Sequence, residues 1–169
     1  ARGANALFDF SSAQDYTDAA RVIAAADQGG FALPDRDYYL LDDFKKERTA
    51  YLAHLQKMFL LLGDSPGRAH FEAAAVMKVE TALASAAMSR VDRREPKKVH
   101  HKMTLAALIA LTPSFHWEEY LAAAKAPTFQ NLDVMDPGFF KGLDGALGSI
   151  PLEEWKAYLR WSVLHGMVA

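Results

Sequence analysis

The spacing of apolar positions is helical along most of the chain. Between Asp42 and Leu62 apolar side chains recur every three or four residues and fall on one helical face, formed by Phe44, Tyr51, Leu55, Met58, Phe59 and Leu62. Gly63 follows where a helix commonly ends. Ser65-Pro66 is expected to begin a second long helix, with a buried side comprising Phe71, Val76, Val79, Leu83 and Met88. Because only about three residues separate them, the two helices should form an antiparallel hairpin.

The second half of the chain predicts shorter helices. Thr104 is expected to cap a helix that runs to Leu111 and ends before Pro113. Another helix is expected from His116 to Lys125. Prolines near their N-termini predict two further helices, Pro137 to Leu147 and Pro151 to Val168.

A few segments indicate strands. Residues 6–10 alternate roughly and are aromatic, and residues 132–136 also alternate, whereas residues 11–18 are polar and turn-prone. Residues 21–27 are open between a helix, from their alanine content, and a strand, from Val22-Ile23. The predicted fold class is therefore mainly α, a single multi-helix lobe over residues 1–169. It has a long antiparallel helix hairpin and a small β-ribbon of two or three strands near the N-terminus.

Composition narrows the classes of function. The 169 residues are 51% apolar and 24% charged with a net charge of −2, which indicates a globular protein and gives no overall field that would attract nucleic acid. Charges interrupt every apolar stretch before the length of about 18 residues that a membrane span needs. Cysteine is absent, which excludes disulfides and thiolate zinc sites. The charged run from Arg90 to Lys98 is expected to be a solvated helix end.

Candidate catalytic groups are few. His100 and His101 are adjacent, so on a helix they would diverge by about 100° and could not share one ion. The stretch from His116 to Tyr120 resembles a metallopeptidase motif but carries tyrosine in place of the second histidine. The adjacent carboxylates Glu153-Glu154 suit the first turn of a helix better than acid–base chemistry. We therefore predict no catalytic and no metal-binding residue in this sequence.

The loop of residues 28–39 is the least periodic part of the chain. Its paired glycines and its proline specify a local backbone, and Arg36 between Asp35 and Asp37 is expected to tie the loop through charge-assisted hydrogen bonds. The loop either locks onto the helices or contacts a substrate or second lobe. Its candidate residues are Gln28, Gly29, Gly30, Pro34, Asp35, Arg36, Asp37, Tyr38 and Tyr39.

Three late aromatic residues follow helical spacing, namely Trp155, Tyr158 and Trp161. Such residues are most simply core residues, and they are also candidates for an interface with a neighbouring lobe.

Residues 27–40 resemble the signature in the N-terminal region of neprilysin-like zinc metallopeptidases. Phe31 and Ala32 stand where that family commonly has Leu and Gly, and His101 stands where Asn is usual. The family pattern favours a small hairpin of strands over residues 8–10 and 22–27. Further segments agree with the family in the same order: residues 51–63, 79–84, 93–94, 102–104, 111–117 and 155–161.

The resemblance implies a parent of two mainly helical lobes around a cavity. The catalytic lobe would carry HExxH and a downstream ExxxD, giving zinc two histidines and a glutamate and supplying a glutamate base. Neither motif occurs in this sequence. The chain is thus expected to be a fragment, the N-terminal non-catalytic lobe that caps the active-site cavity and restricts substrate size. Zinc, the peptide substrates and the partner catalytic lobe belong to the rest of the same polypeptide.

The resemblance also implies a location, because family members usually face the periplasm or the outside of the cell. The lack of cysteine favours a bacterial member, since animal members are rich in disulfides. The alternative is a free-standing helical module that binds a protein partner and has no enzymatic activity. A weaker third hypothesis is an independent hydrolase that uses carboxylates alone.

Overall fold

The computed structural model describes residues 6–168, with side chains to residue 166. Helices dominate it, as predicted, and a small sheet lies beside them. In chain order the strands are β1 (Phe8–Asp15), β2 (Asp18–Gln28), β3 (Lys102–Thr104) and β4 (Asn131–Val134). The helices are α1 (Asp37–Leu40), α2 (Lys45–Leu61), α3 (Pro66–Ala86), α4 (Pro96–Val99), α5 (Leu105–Leu111), α6 (Trp117–Ala123), α7 (Pro137–Ser149) and α8 (Leu152–Val168).

The sheet is larger than the predicted ribbon. Its order is β1-β2-β4-β3, with β1 and β3 antiparallel to their neighbours and β2 parallel to β4. Residues 21–27 form a strand, as the family pattern favours, and most of residues 11–18, predicted as a turn, extend the hairpin. The expectation of two or three strands was wrong because β3 has only three residues and shows no apolar alternation.

The antiparallel pair of α2 and α3 is confirmed, together with its boundary signals. Gly63 adopts a positive φ of 91° after α2, and the Ser65 hydroxyl accepts the Arg68 amide at the start of α3. The expected buried side of α3 is wrong at Phe71, which is 47% exposed, and at Met88, which lies beyond the end of α3 and is half-buried; on the apolar face of α2, Leu62 is 46% exposed. Leu62 lies at the turn between the helices, and Phe71 lines an open groove between α3 and α8.

Helix α3 lies at the centre of the lobe. One hydrophobic cluster joins it to the sheet, α7 and α8, and a second joins it to α2 and α8. Gly142 of α7 allows close approach to α3, because a Cβ atom there would collide with the Ala86 side chain. None of the described helices is both long enough and apolar enough to cross a membrane.

Candidate functional site

A cleft of about 830 Å³ runs along the 28–39 loop. Strand β1, the end of β2, the segment after α3 and the last turns of α8 form its other walls. Six charged side chains line it: Asp9, Asp27, Asp35, Glu80, Arg90 and Arg93. The cleft therefore brings most of the predicted loop residues beside charged residues that are distant in sequence.

The first residues of the loop are fixed by close packing. Gly30 has φ of 77°, and a Cβ atom there would lie 2.7 Å from both the Leu7 nitrogen and the Tyr158 hydroxyl. The Tyr158 hydroxyl donates to the Gly30 carbonyl at 2.7 Å. The Gln28 side chain forms two hydrogen bonds with the backbone of Met88, just after α3. These contacts lock the loop onto the helices.

The acidic and basic residues of the loop pair differently from the expectation. Asp35 forms an ion pair with Arg90 at 3.0 Å, and its other oxygen accepts the Asp37 amide. The Nε of Arg36 is buried without a hydrogen-bond partner, so this guanidinium does not bridge its two neighbouring carboxylates. Arg90 and the Asp37 amide occupy the Asp35 carboxylate instead.

Arg93 extends this pairing to the end of β2. Its two terminal nitrogens each donate to an oxygen of Asp27 at 2.7 Å, a bidentate arrangement. The expectation of a solvated helix end is therefore wrong for Arg93, which is half-buried against Asp27, whereas Arg90 remains exposed to solvent while it pairs with Asp35. Burial and the neighbouring Asp27 carboxylate raise the pKa of Asp9, and Arg93 acts in the opposite direction.

The two tyrosines of the loop have separate environments. Tyr38 stacks on Phe44 with ring centroids 4.2 Å apart. Tyr39 is buried, and its hydroxyl donates to Glu80 at 2.7 Å while it accepts the Leu33 amide at 2.9 Å. Tyr51 of α2 donates to the other oxygen of Glu80 at 3.0 Å. Burial raises the pKa values of both Tyr39 and Tyr51, and the Glu80 charge adds to the effect.

Glu80 is only 2% exposed, although it is a carboxylate. Burial raises its pKa to about 7, while the hydrogen bonds from Tyr39, Tyr51 and the Ala32 backbone act in the opposite direction. The sequence interpretation did not identify Glu80 as a candidate. Its position between Val76, Val79 and Leu83 on the apolar face of α3 was the signal that could have found it.

The three late aromatic residues are covered by this chain itself. Trp155, Tyr158 and Trp161 are 6%, 1% and 2% exposed. Trp161 donates its indole N–H to the Tyr51 hydroxyl at 2.9 Å, which connects α8 to the Glu80 cluster.

The paired histidines lie outside the cleft and bind different groups. His100 Nδ1 lies 2.5 Å from Asp133, and the Tyr16 ring stacks on the His100 ring. His101 Nδ1 lies 3.2 Å from the Val134 carbonyl instead. The side chains therefore have different partners, although the two residues lie on extended backbone and not on the helix for which the divergence was expected.

Comparison with known proteins supplies the family. The sequence model of the N-terminal region of peptidase family M13 matches residues 1–169. The chain belongs to peptidase family M13. Neprilysin-3 of Drosophila melanogaster is 28% identical over 178 residues, which cover 98% of this chain and 23% of that protein. An endothelin-converting enzyme homolog of Locusta migratoria is 33% identical over 121 residues, covering 70% of this chain and 16% of that protein.

Solved structures of the family agree in fold. The Mycobacterium tuberculosis zinc metalloprotease ZMP1, in complex with an inhibitor, superposes with a TM-score of 0.91 at 25% sequence identity. The match covers 97% of this M13 chain and 25% of ZMP1. The chain thus spans about a quarter or less of the length of these relatives.

The zinc that the M13 family implies has no fitting ligand set in the described part of this chain. Among those residues no group of three or more His, Asp or Glu side chains could hold a metal ion. His100 and His101, the adjacent pair, face different partners. No step of zinc chemistry can therefore be assigned to these residues.

Proposed function

We propose that this chain is the non-catalytic lobe of a zinc-dependent metalloendopeptidase that cleaves peptides. In this proposal the lobe caps the active-site cavity and restricts the size of the substrates that enter. The observation that carries the proposal is the superposition on ZMP1, in which nearly the whole chain matches a quarter of a zinc metalloprotease.

The chemistry of the cleft supports a structural role for the lobe. Arg90 pairs with Asp35 of the 28–39 loop, Arg93 pairs with Asp27 at the end of β2, and Glu80 accepts from two tyrosines. The sequence contains neither HExxH nor ExxxD. A zinc peptidase needs such ligands and a base to activate water, so the proposal places them elsewhere in the polypeptide.

The partner in this proposal is the catalytic lobe of the same polypeptide. Trp155, Tyr158 and Trp161 are already buried, so we assign the contact to the exposed apolar side of the same helix. There Leu152, Leu159 and Val163 are 67%, 42% and 49% exposed and share one helical face. The compartment we propose is the periplasm or the cell exterior of a bacterium.

The proposal is tested on the gene and then on its product. The coding sequence read on from the Ala169 codon should contain HExxH followed by ExxxD in the same frame. The encoded polypeptide should then cleave short peptides faster than long unfolded proteins, and a zinc chelator should abolish both activities. A stop codon directly after Ala169 would contradict the proposal and favour a free-standing binding module. Equal cleavage of short and long substrates would contradict the size-restricting role alone.

A further inference from the structure

The environment of Glu80 carries an inference that does not depend on peptidase activity. Glu80 lies where the 28–39 loop, α2 and α3 meet, and it is 2% exposed. Its side-chain partners are the hydroxyls of Tyr39 and Tyr51, and the ion pairs of the described residues do not include it. A buried carboxylate without a cation is costly in its ionised form.

The directions of the hydrogen bonds are fixed by chemistry. Tyr39 accepts an N–H from Leu33, and Tyr51 accepts the indole N–H of Trp161. Because both groups can only donate, both hydroxyl protons are directed towards Glu80. An ionised Glu80 accepts both protons, whereas a neutral Glu80 carries a proton of its own that neither tyrosine accepts while both contacts keep this direction. In the closed structure, an ionised Glu80 therefore carries the cost of a buried charge, and a neutral Glu80 carries the cost of one unmade hydrogen bond.

Residues of the 28–39 loop pack over Glu80 where it borders the cleft, because the Ala32 backbone and the Tyr39 hydroxyl both hydrogen-bond to its carboxylate. Glu80 lies on the cleft wall together with Ala32 and Leu33 of the loop, and the Leu33 amide is tied to the same tyrosine that binds Glu80. If this part of the loop lifts, the carboxylate gains water and its ionised form is no longer penalised. We propose that residues 32–34 of this loop form a proton-controlled cover, which stays closed over neutral Glu80 and opens to the cleft as Glu80 ionises, while Gly30 and Tyr39 on either side stay packed.

Burial determines the direction of the effect. It raises the pKa of Glu80 to about 7 in the closed form, above its ordinary value of 4.5. The closed form therefore binds the proton more tightly than the open form. The free-energy preference for the closed form over the open form is greatest below about pH 4.5. It declines as the pH rises towards 7 and is constant above that. A single proton changes the open fraction by at most about tenfold per pH unit.

Other titratable groups lie near Glu80, and their effects on the loop must be distinguished from the effect of Glu80. Tyr39, Tyr51 and Tyr158 have raised pKa values and remain neutral over this range. Across the cleft, Arg90 and Arg93 are paired with Asp35 and Asp27, and Asp9 lies beside Asp27 and Arg93.

Histidine is the remaining concern, because its side chain changes charge near neutral pH. His54 and His165 both pack against the Trp161 ring, and His165 also lines the cleft. A variant that replaces both residues with glutamine is therefore the matched control.

The test is hydrogen–deuterium exchange read by mass spectrometry on the intact polypeptide that carries this chain, between pH 5 and 8.5. Exchange of the peptide that contains Leu33 is corrected for the intrinsic rate at each pH, and a peptide from the interior of α3 reports global unfolding. We expect the protection factor of the Leu33 peptide to fall severalfold per pH unit between pH 5 and 7 and to level off above pH 7.5. The protection factor of the α3 peptide should not change in parallel.

Variants decide which group is responsible. Glu80→Gln should make the protection at Leu33 independent of pH, and the His54→Gln/His165→Gln control should behave like the wild type. Tyr51→Phe removes one hydrogen-bond donor to the carboxylate and leaves the Leu33–Tyr39 contact intact. It should therefore raise the pH at which the protection of Leu33 stops changing. This variant keeps the proposal testable if Glu80→Gln fails to fold. Protection that does not change with pH in the wild type would overturn the proposal. A pH dependence that survives in Glu80→Gln, or a levelling point that Tyr51→Phe leaves unmoved, would also overturn it.

Discussion

Tyr158 and Gly30 are joined across 128 positions of the chain by a hydrogen bond of 2.7 Å from the tyrosine hydroxyl to the glycine carbonyl. The same hydroxyl accepts the Leu7 amide at 2.8 Å. One side chain of α8 thus fixes both the start of the 28–39 loop and the segment before β1. The most distinctive loop of the sequence is therefore held as part of the packed lobe.

Removing this hydroxyl should destabilise the lobe. Tyr158→Phe leaves the Leu7 amide and the Gly30 carbonyl without their partner, and an unpaired buried polar group costs about 1–3 kcal/mol. We expect a lower urea midpoint with an unchanged m-value. Tyr16→Phe is the control because Tyr16 is 61% exposed, and it should leave the midpoint unchanged. Equal midpoints for the wild type and Tyr158→Phe would show that the hydroxyl does not hold the loop.

Gly30 should be intolerant of any side chain. Gly30→Ala combines a positive φ with a Cβ atom 2.7 Å from the Leu7 nitrogen, so it should cost more than the roughly 1 kcal/mol of the backbone conformation alone. Gly63→Ala is the matched control, because Gly63 has φ of 91° but nothing within 4 Å of an added Cβ. Thermal unfolding of both variants should show the larger loss for Gly30→Ala. A larger loss for Gly63→Ala would contradict the steric account.

The Arg93–Asp27 pair should require the geometry of arginine. Arg93→Lys keeps the charge but loses the bidentate contact, and we expect a loss of about 1 kcal/mol in the free energy of unfolding. Combining it with Asp27→Asn in a double-mutant cycle measures the coupling between the two side chains. Arg21→Lys changes an exposed pair with Asp18 and should have almost no effect. A coupling energy near zero for Arg93 and Asp27 would show that the pair does not hold the loop.

The hairpin turn should contribute to the acid sensitivity of the lobe. Lys102 and Thr17 hold the pKa of Asp15 well below its usual range, so folding favours the ionised carboxylate. This stabilisation is present above the ordinary Asp pKa and is lost as the pH falls below it. Asp15→Asn should therefore lower stability at pH 7, and its difference from the wild type should shrink as the pH falls from 4 to 2, as measured by urea unfolding from pH 7 to 2. The exposed residue Asp43 provides the control Asp43→Asn, and a constant difference at every pH for Asp15→Asn would be inconsistent with this account.

Local signals predicted the helices well. The spacing of apolar residues between Asp42 and Leu62, the Ser65-Pro66 start and the Gly63 end are properties of neighbouring residues, and the structure has them close to where the pattern places them. The parallel contact between β2 and β4 joins segments about a hundred residues apart, and β3 is too short to show a period. Such pairing depends on the whole fold and could not be derived from either segment alone.

The candidate site was predicted only in part for the same reason. The loop residues were recognised, but the partners of Asp35 and Asp27 come from the segment after α3. Arg36 is the cation nearest to Asp35 in sequence, whereas in the structure Asp35 pairs with Arg90, which is 55 positions away. Glu80 resembles an ordinary helix glutamate until its burial by the loop and α2 is known.

The most direct test of the account is zinc content and peptide hydrolysis measured on the purified 169-residue chain and on the longer polypeptide encoded with it. The account predicts no stoichiometric zinc and no cleavage for the chain alone, and both for the longer polypeptide. One tightly bound zinc per chain, with cleavage that a chelator abolishes, would contradict the assignment of this lobe as non-catalytic.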